Sequence, residues 1–305
     1  MSISHYIKTI GRGKEGAKAL SKEQANDLLS QILLGQCSDL EVGAFCLAMR
    51  IKGETANEVA GFLEAIKQQS QLLSVVNQYL TTSTQATLQE TTPSSTQKSA
   101  IVVLPSYNGA RKQALLTPLL AFLLARQGIT VLIHGHNTEA TRVTSEQILQ
   151  AMGHPTLLTS PTLTAGEVHY RDLSSFCPGL ASLLEVRKVV GLRNSAHSLV
   201  KMMNPFEQDA WVVSSYTHPE YLISMTEAFQ HTQQTAFLMR GTEGEPVADA
   251  RRTPAIDVFN KGEVKRIQEA QSGTLLELPQ LPSAIDAHTT AEFITAVLNG
   301  KIAIP

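Results

Sequence analysis

The chain has 305 residues, of which 43% are hydrophobic and 17% charged, and its formal net charge at pH 7 is −2. This composition predicts a globular protein of one large or two ordinary domains, and it excludes a general polycation. No stretch reaches the roughly 18 uninterrupted apolar residues of a membrane span, and the first residues lack the apolar run of a secretory signal.

The three cysteines, Cys37, Cys46 and Cys177, form no CxxC pair. An odd number of cysteines without that spacing argues against a disulfide framework or a zinc site and suits a reducing compartment. We therefore expect a cytoplasmic protein that does not interact with a membrane.

Three helical patterns follow one another in the first part of the chain, and each begins at a capping residue. Ser21 with Gln24 three positions later has the sequence of a capping box. Ser38 or Asp39 caps the second helix, and Thr55 begins the third. Each pattern places its apolar side chains on one face. Together they predict a small all-helical N-terminal domain.

Strands and helices alternate in the rest of the chain, which predicts a parallel sheet covered on both faces. The candidate strands are 101–104, 130–133, 211–214, 236–239 and 275–278, and a last helix spans about 290–299. The predicted class is therefore α/β, with a small all-helical domain over 1–81, a hinge or linker rich in Ser, Thr and Gln over 82–99, and a large domain over 100–305 whose central, mostly parallel sheet is flanked by helices.

The turn after the first of these strands has residues that suit an anion. Residues 106–110, SYNGA, include Asn108 and Gly109 and lead to Arg111 and Lys112, which we expect in the first turn of a helix. Free backbone N–H groups and the helix dipole favour a phosphate there. The same pattern also suits an Asn-Gly turn with two solvated cations, and the residues alone leave both interpretations open.

The segment from Ala44 to Gly61 reads AFCLAMRIKGETANEVAG. It resembles the AF-x-x-AMR-x-KGET-x-x-EVAG motif of the anthranilate phosphoribosyltransferases, which belong to glycosyltransferase family 3 with the nucleoside phosphorylase-like transferases. Over nearly its whole length the chain also resembles the YbiB group of paralogues of these enzymes, through PSYNGARK, RNSAH-x-LVK and RGTEGEP. The resemblance implies the transferase fold, a homodimer formed through the helical domain, and packing of residues 174–191 against the N-terminal helices.

The segments that bind substrate in those enzymes are altered here. Their GTGGD-G loop, whose glycines admit the pyrophosphate of phosphoribosyl pyrophosphate, matches residues 105–109, where a proline removes an N–H donor and a tyrosine adds bulk. Their KHGNRS segment matches residues 133–138 without its lysine and arginine. Their magnesium-holding Asp-Glu pair matches Pro246 and Val247, which cannot coordinate a cation.

We therefore predict no catalytic residue, no metal ligand and no cofactor. Glu243 and Glu245 are close in sequence and offer an alternative to the missing acidic pair, in which case magnesium would be bound. His134 and His136 lie two positions apart at a strand end, but no third type of ligand is nearby, so we expect packing or loop roles for them.

Three basic windows, residues 1–18, 187–201 and 251–266, are candidates for polyanion binding, with a solvated face or tail as the alternative for each. The resemblance implies that the loop after the first strand, the loop from Arg193 to Lys201 and the loop after Arg240 meet at one cleft, and we expect a basic groove between the domains. The predicted nucleic-acid- or phosphate-binding residues are Arg12, Lys14, Asn108, Gly109, Arg111, Lys112, Arg193, Lys201, Arg251 and Arg252. Arg187 and His134 form a predicted residual ligand site, since Arg187 and Arg193 match a segment whose arginine contacts the anthranilate carboxylate in the enzymes. Tyr107 is the candidate for base stacking, with turn or core packing as the alternative.

The resemblance implies binding of single- and double-stranded nucleic acid with little sequence preference and no established transferase activity. We therefore expect a non-catalytic homologue that binds DNA or RNA through a basic groove between the domains. One alternative is a phosphoribosyl pyrophosphate-dependent glycosyltransferase acting on anthranilate or another aromatic amine. Another is a scaffold that binds a protein partner through the same cleft.

Overall fold

The computed structural model of the protein describes residues 2–76, 100–157, 159–273, 275–276 and 281–305. The predicted linker over 82–99 lies outside these residues. The described helices are α1 (Ser4–Ile10), α2 (Gly13–Gly16), α3 (Lys22–Leu33), α4 (Asp39–Lys52), α5 (Ala56–Gln69), α6 (Thr117–Ala125), α7 (Ser145–Ala151), α8 (Pro178–Val190), α9 (Ala196–Leu199), α10 (Pro219–Thr232) and α11 (Ala287–Leu298). The described strands are β1 (Ser74–Val76), β2 (Ile101–Ser106), β3 (Thr130–Gly135), β4 (Thr162–Thr164), β5 (Val168–Asp172), β6 (Trp211–Tyr216), β7 (Ala236–Arg240), β8 (Ile256–Asn260) and β9 (Glu263–Gln268).

Three N-terminal helices begin at capping boxes that the local sequence encodes. The Ser21 side chain accepts a hydrogen bond from the Gln24 backbone N–H at the start of α3, and the Gln24 side chain accepts one from the Ser21 N–H in return. Ser38 caps α4 and Thr55 caps α5 in the same way. The predicted helix starts are confirmed, with Ser38 rather than Asp39 as the second cap.

The helices pack closely because two glycines bring backbones together. A Cβ at Gly61 of α5 would lie 2.2 Å from the Lys22 carbonyl oxygen of α3, and one at Gly179 of α8 would lie 2.1 Å from the Leu33 carbonyl oxygen. Helix α8 thus packs against the N-terminal helices. One hydrophobic core includes side chains of the helices and of the sheet, among them Phe45, Phe62, Phe206, Phe229 and Phe259. None of the described helices is long and apolar enough to cross a lipid bilayer.

The main sheet has seven strands in the order β5-β3-β2-β6-β7-β8-β9. The first five strands are parallel and the last two are antiparallel, while β1 pairs with β4 separately. Ser106 of β2 lies beside Gly135 of β3, and Tyr216 of β6 lies beside Arg240 of β7. The predicted fold class, a helical N-terminal part followed by an α/β part with a mostly parallel sheet, is confirmed.

Four of the predicted strands, β2, β3, β6 and β7, are confirmed, and each continues beyond its predicted carboxyl end. The prediction of a strand over 275–278 is wrong where it is described, because Leu275 and Leu276 belong to no strand, and its other residues lie outside the described residues. The strands β1, β4, β5, β8 and β9 were not predicted. The last helix is present and begins at Ala287, before its predicted start.

The helix after β2 begins at Thr117 and not at Arg111, so that prediction is wrong. The chain between them is a turn that is anchored by an isolated antiparallel bridge between Ala110 and Val143. Pro118 lies in the first turn of α6, where its fixed φ and missing N–H fit a helix start. Arg111 and Lys112 therefore lie in a loop, outside any helix dipole.

Candidate functional site

The candidate site lies at the carboxyl edge of the parallel strands, which is where ligands bind in open α/β sheets. The loops after β2, β3, β6 and β7 all leave the sheet at this edge. The segment from Arg193 to Lys201, which follows α8, reaches the loop after β7 because Lys201 Nζ donates a hydrogen bond to the Gly244 carbonyl oxygen at 2.7 Å.

The carboxylate of Glu245 fills the turn after β2. Its Oε1 atom accepts hydrogen bonds from the backbone N–H groups of Asn108 at 2.7 Å and Gly109 at 2.8 Å. Its Oε2 atom accepts one from the Ser106 hydroxyl, and the residue is completely buried. The turn therefore has the converging amides that bind an anion, and the anion is a side chain of the same molecule.

Glu243 occupies the amides that follow in the chain. Its Oε1 atom accepts hydrogen bonds from the backbone N–H groups of Arg111, Lys112 and Gln113 at 3.1, 2.7 and 3.3 Å. Its φ of 53° is in the left-handed region, and it is followed by Gly244 at 86°. With this backbone conformation, the side chains of Glu243 and Glu245 reach two neighbouring groups of amides. The amides predicted to bind phosphate are thus engaged by internal carboxylates, while the Arg111 and Lys112 residues remain exposed.

Lys201 is engaged with the loop after β7, which argues against its predicted place in an open groove. The Gly244 oxygen that accepts from its Nζ also accepts from the Ser215 hydroxyl at 2.8 Å. The pKa of Lys201 is lowered to about 8, mainly by burial; Glu245 opposes this shift and the charge of Arg193 adds to it. A partly desolvated lysine beside a buried carboxylate stabilises this loop in its position.

The residues at the family's magnesium position do not fit a magnesium ion. Pro246 and Val247 carry no side-chain oxygen or nitrogen. Both oxygens of Glu245 are engaged with donors of the turn, and Glu243 binds three amides and Arg142. In the part of the chain that the structure describes, no group of three or more His, Cys, Asp or Glu side chains is arranged to hold a metal. Glu243 and Glu245, the alternative to the missing acidic pair, are therefore engaged in hydrogen bonds within the protein.

Two arginines pair with one carboxylate beside these loops, and a third arginine is near them. Glu139 Oε2 lies 3.4 Å from Arg142 Nε and 3.3 Å from Arg187 Nη1. Burial lowers the pKa of Arg193, and the charges of Arg187 and Arg142 lower it further, so the three guanidinium groups are close to one another. The Arg193 carbonyl oxygen accepts from Arg50 Nη1 at 3.0 Å, which ties this cluster to the end of α4. Arg187 and Arg193 are thus brought together.

His134 is a core residue, and its burial argues against the predicted ligand-site role. It is fully buried, its Nδ1 atom is 2.6 Å from the Tyr107 hydroxyl, and its ring also contacts Phe176. Burial lowers the pKa of His134 to about 3, which keeps the imidazole neutral. Tyr107 packs against this core, so packing rather than base stacking describes its role. His136 instead pairs with Asp172 and Glu185 at 3.1 and 3.3 Å.

The remaining predicted cations are spread over two regions. Arg251 and Arg252 both pair with Asp249, at 2.8 and 3.6 Å, so the two guanidinium groups share one carboxylate inside the loop after β7. Arg12 and Lys14 are exposed on the N-terminal segment, where α2 packs against α4. Of the predicted cations, Arg12, Lys14, Arg111, Lys112 and Arg193 have side chains without an ion pair to any described residue.

Sequence reasoning missed Glu139 and Arg142 as parts of the site. Both follow β3, so their place after a predicted strand was a usable signal. Glu245 also follows a predicted strand, but its position did not indicate its hydrogen-bond partners, which lie more than 130 residues away.

Comparison with known proteins defines the class. A family described as "Glycosyl transferase family, helical bundle domain" matches residues 4–70. The structure of anthranilate phosphoribosyltransferase from Thermus thermophilus superposes with a TM-score of 0.70 at 19% identity, covering 94% of this chain and 82% of that one. The yeast enzyme from Saccharomyces cerevisiae, in complex with PRPP and Mg, gives 0.68 at 15% identity, covering 98% and 82%. The chain therefore has the anthranilate phosphoribosyltransferase fold.

A more similar relative places the chain within this class. The uncharacterized protein YbiB of Escherichia coli is 38% identical over 315 residues, which cover all of this chain and 90% of that protein. An anthranilate phosphoribosyltransferase of Colwellia psychrerythraea is 23% identical over 98% of the chain and 78% of the enzyme. The chain belongs to the YbiB-like family of anthranilate phosphoribosyltransferase homologues.

Proposed function

We propose that this protein is a non-catalytic anthranilate phosphoribosyltransferase homologue that binds DNA or RNA without strong sequence preference, in the cytoplasm. The observation that carries the proposal is the pair of internal carboxylates at the turn after β2. Glu243 and Glu245 bind the five backbone N–H groups that would otherwise be available to a pyrophosphate. Pro246 and Val247 also offer no side-chain ligand for magnesium. Phosphoribosyl transfer would therefore lack both free amides for the pyrophosphate and side chains for the metal.

The proposed nucleic-acid surface is the basic groove, which we define as Arg12, Lys14, Arg50, Arg111, Lys112, Arg187 and Arg193. The contact between Arg50 and the Arg193 carbonyl supports continuity between the helical side and the α/β side of this groove. A phosphate backbone is bound by such cations without regard to base sequence, since only the charge is recognised. Lys201, Arg251 and Arg252 are left out because their contacts lie within the loop after β7.

We also propose a homodimer formed through α4. Leu40, Leu47 and Ile51 follow one another along its exposed face, with 84%, 46% and 52% of their surfaces exposed. Apolar side chains at this helical spacing are seldom left in water by a monomer. Two copies of α4 packed against each other would cover them and would bring two basic grooves into one particle.

Two assays test the proposal. In the first, labelled single-stranded and duplex oligonucleotides are titrated with the protein at 50 and 200 mM salt, and fluorescence anisotropy is followed. We expect binding that weakens steeply with salt, by about 0.9 log unit of affinity per log unit of salt for each duplex phosphate neutralised, and that is the same for unrelated sequences. No binding at low salt would contradict it.

The second assay tests the alternative function, phosphoribosyl transfer to an aromatic amine, which the fold of the yeast enzyme in complex with PRPP and Mg favours. The protein is mixed with anthranilate, phosphoribosyl pyrophosphate and magnesium, and the fluorescence of anthranilate is followed. We expect no loss of fluorescence. Turnover at ordinary enzyme rates, about 1 per second or faster, would show that the protein is a transferase.

A further inference from the structure

A cavity of about 700 Å³ lies between α6, the loop after β7 and the last described residues of the chain. One wall is apolar and is formed by Leu119, Leu120 and Leu123, which lie on neighbouring turns of α6. Val247 and Ile256 add to the apolar lining. Cavities of about 300–1,000 Å³ with mostly apolar walls are typical of sites for small molecules. No residue of the basic groove is among the described residues that line this cavity, so the two are separate.

Two arginines of the loop after β7 also line the cavity, together with one acid, Asp249. Arg251 engages both oxygens of that carboxylate, since Oδ1 accepts from its Nε atom at 3.0 Å and Oδ2 accepts from its Nη2 atom at 2.8 Å. Arg252 Nε is 3.6 Å from Asp249 Oδ2, which is too far for a hydrogen bond. This nitrogen is buried and has no hydrogen-bond partner among the described residues. One guanidinium group therefore faces the cavity without an acceptor of its own.

Backbone hydrogen bonds hold the charged part of the cavity in place. The Leu275 N–H donates to the Arg251 carbonyl oxygen at 2.9 Å, and the Gln271 N–H donates to the Thr253 carbonyl oxygen at 3.1 Å. The loop that carries the two arginines is thereby joined to the chain that follows β9. A pocket that is formed in advance binds its ligand without the cost of ordering a loop.

An apolar cavity with one unmatched cation in its wall suits a ligand with an apolar tail and a single negative charge. A carboxylate is planar and matches the guanidinium fork of Arg252 in a bidentate pair. One further negative charge balances the site, because two arginines share one aspartate. The apolar wall from Leu116 to Leu123 extends about 10 Å at 1.5 Å per residue, which suits a tail of medium length. We propose that this cavity binds a medium-chain aliphatic carboxylate, with the head group on Arg252 and the tail against α6.

Isothermal titration calorimetry of the full-length protein tests the proposal with four probes: hexanoate, octanoate, decanoate and the neutral 1-octanol. We expect decanoate to bind, and the affinity to fall about 15-fold for each two methylene groups removed from the tail. The alcohol cannot form an ion pair with Arg252, so it should bind about 10-fold or more weakly than octanoate. No binding of decanoate, or equal binding of octanoate and 1-octanol, would overturn the proposal.

Two variants locate the site. Arg252→Gln removes the unmatched cation, and Ala248→Trp places a large ring in the cavity. Each should bind decanoate about 10-fold or more weakly than the unaltered protein does. Arg240→Gln is the matched control, because Arg240 is exposed at the end of β7 and does not line the cavity, so its affinity for decanoate should be unchanged.

Thermal unfolding without ligand confirms that each variant is folded, and the result for Arg252→Gln is decisive if Ala248→Trp does not fold. An unchanged affinity of Arg252→Gln for decanoate, or an equal loss in Arg240→Gln, would overturn the assignment of the site. Nucleic-acid binding plays no part in this test, because the cavity is separate from the basic groove.

Discussion

The Oε1 atom of Glu245 lies 2.7 Å from the backbone nitrogen of Asn108, a residue 137 positions earlier in the chain. This hydrogen bond joins the loop after β7 to the turn after β2 across the strand β6 that separates them in the sheet. The two central loops of the candidate site are therefore held by a buried side chain, and they have one defined relative position.

We predict that Glu245→Ala lowers the free energy of unfolding by about 3 kcal/mol or more. The substitution removes the acceptor of the part-buried Asn108 amide, the buried Gly109 amide and the Ser106 hydroxyl, and a buried group left without its partner costs about 1–3 kcal/mol. Glu245→Gln keeps an oxygen for the amides, so its loss should be smaller. Urea unfolding followed by circular dichroism measures both. Glu292→Ala, at a carboxylate that is 70% exposed, is the control, and an equal loss in it and Glu245→Ala would contradict the prediction.

Acid should destabilise the protein through His134. Burial lowers the pKa of this imidazole from 6.5 to about 3. Between these two pH values the imidazole is protonated in the unfolded chain and neutral in the folded protein. The stability from the neutral form is complete above pH 6.5 and is lost as the pH falls towards 3. Between pH 7 and pH 5 the expected loss from this group is about 2 kcal/mol.

The measurement compares urea unfolding at these two pH values for the native chain and for His134→Phe. The variant should be less stable at pH 7, because the Tyr107 hydroxyl loses its partner, but its stability should fall less between pH 7 and pH 5. His288→Phe, at an exposed position, should keep the native pH dependence. If His134→Phe lost as much stability as the native chain over this range, the assignment would be wrong.

Charge reversal should weaken nucleic-acid binding at a cation of the basic groove more than at a cation outside the groove. We predict that Arg193→Glu weakens binding to a duplex oligonucleotide by about 10-fold at low salt and reduces the salt dependence by about one phosphate contact. Arg252→Glu is the matched control, because Arg252 lies outside the basic groove as we define it and pairs with Asp249 in the loop after β7. Fluorescence anisotropy at 50 and 200 mM salt gives both quantities. Equal effects of the two reversals would argue against the groove as we define it.

The exposed face of α4 should determine the oligomeric state. We predict that the native chain elutes as a dimer and that Leu47→Glu elutes as a monomer, because a carboxylate cannot be buried unpaired in an apolar interface. Size-exclusion chromatography with light scattering measures the mass. Leu157→Glu, at a residue that is 86% exposed elsewhere, should stay dimeric. A monomeric native chain, or a dimeric Leu47→Glu, would mean that this face is not the interface.

The helical part could be predicted from the sequence because its signals are local. Ser21, Ser38 and Thr55 each cap a helix through a side chain three residues later, so the information lies within one turn. The start of α6 was missed although Thr117-Pro118 is typical of a helix start. The hairpin of β8 and β9 was also missed, and its alternating residues around Gly262 were a usable signal.

Other features could not be predicted because they depend on distant parts of the chain. Strand β5 contains His169 and Arg171, which are buried with hydrogen bonds to backbone oxygens and so break the expected apolar pattern. The pairing of Arg251 and Arg252 with one aspartate, and the insertion of Glu245 into the turn after β2, are decided by tertiary packing. Residue types indicated the anion site, but only the fold shows what occupies it.

The outer edge of β9 has a consequence for the behaviour of concentrated solutions. Within the described residues β9 pairs only with β8, so one side of its backbone is open. Glu263, Lys265 and Arg266 are exposed along this strand, and a register shift at Ile256 and Asp257 distorts the hairpin. Charges and irregular pairing discourage a strand of a second molecule from adding to the sheet. The antiparallel end thus stops the sheet from growing between molecules and protects the protein from aggregation through that edge.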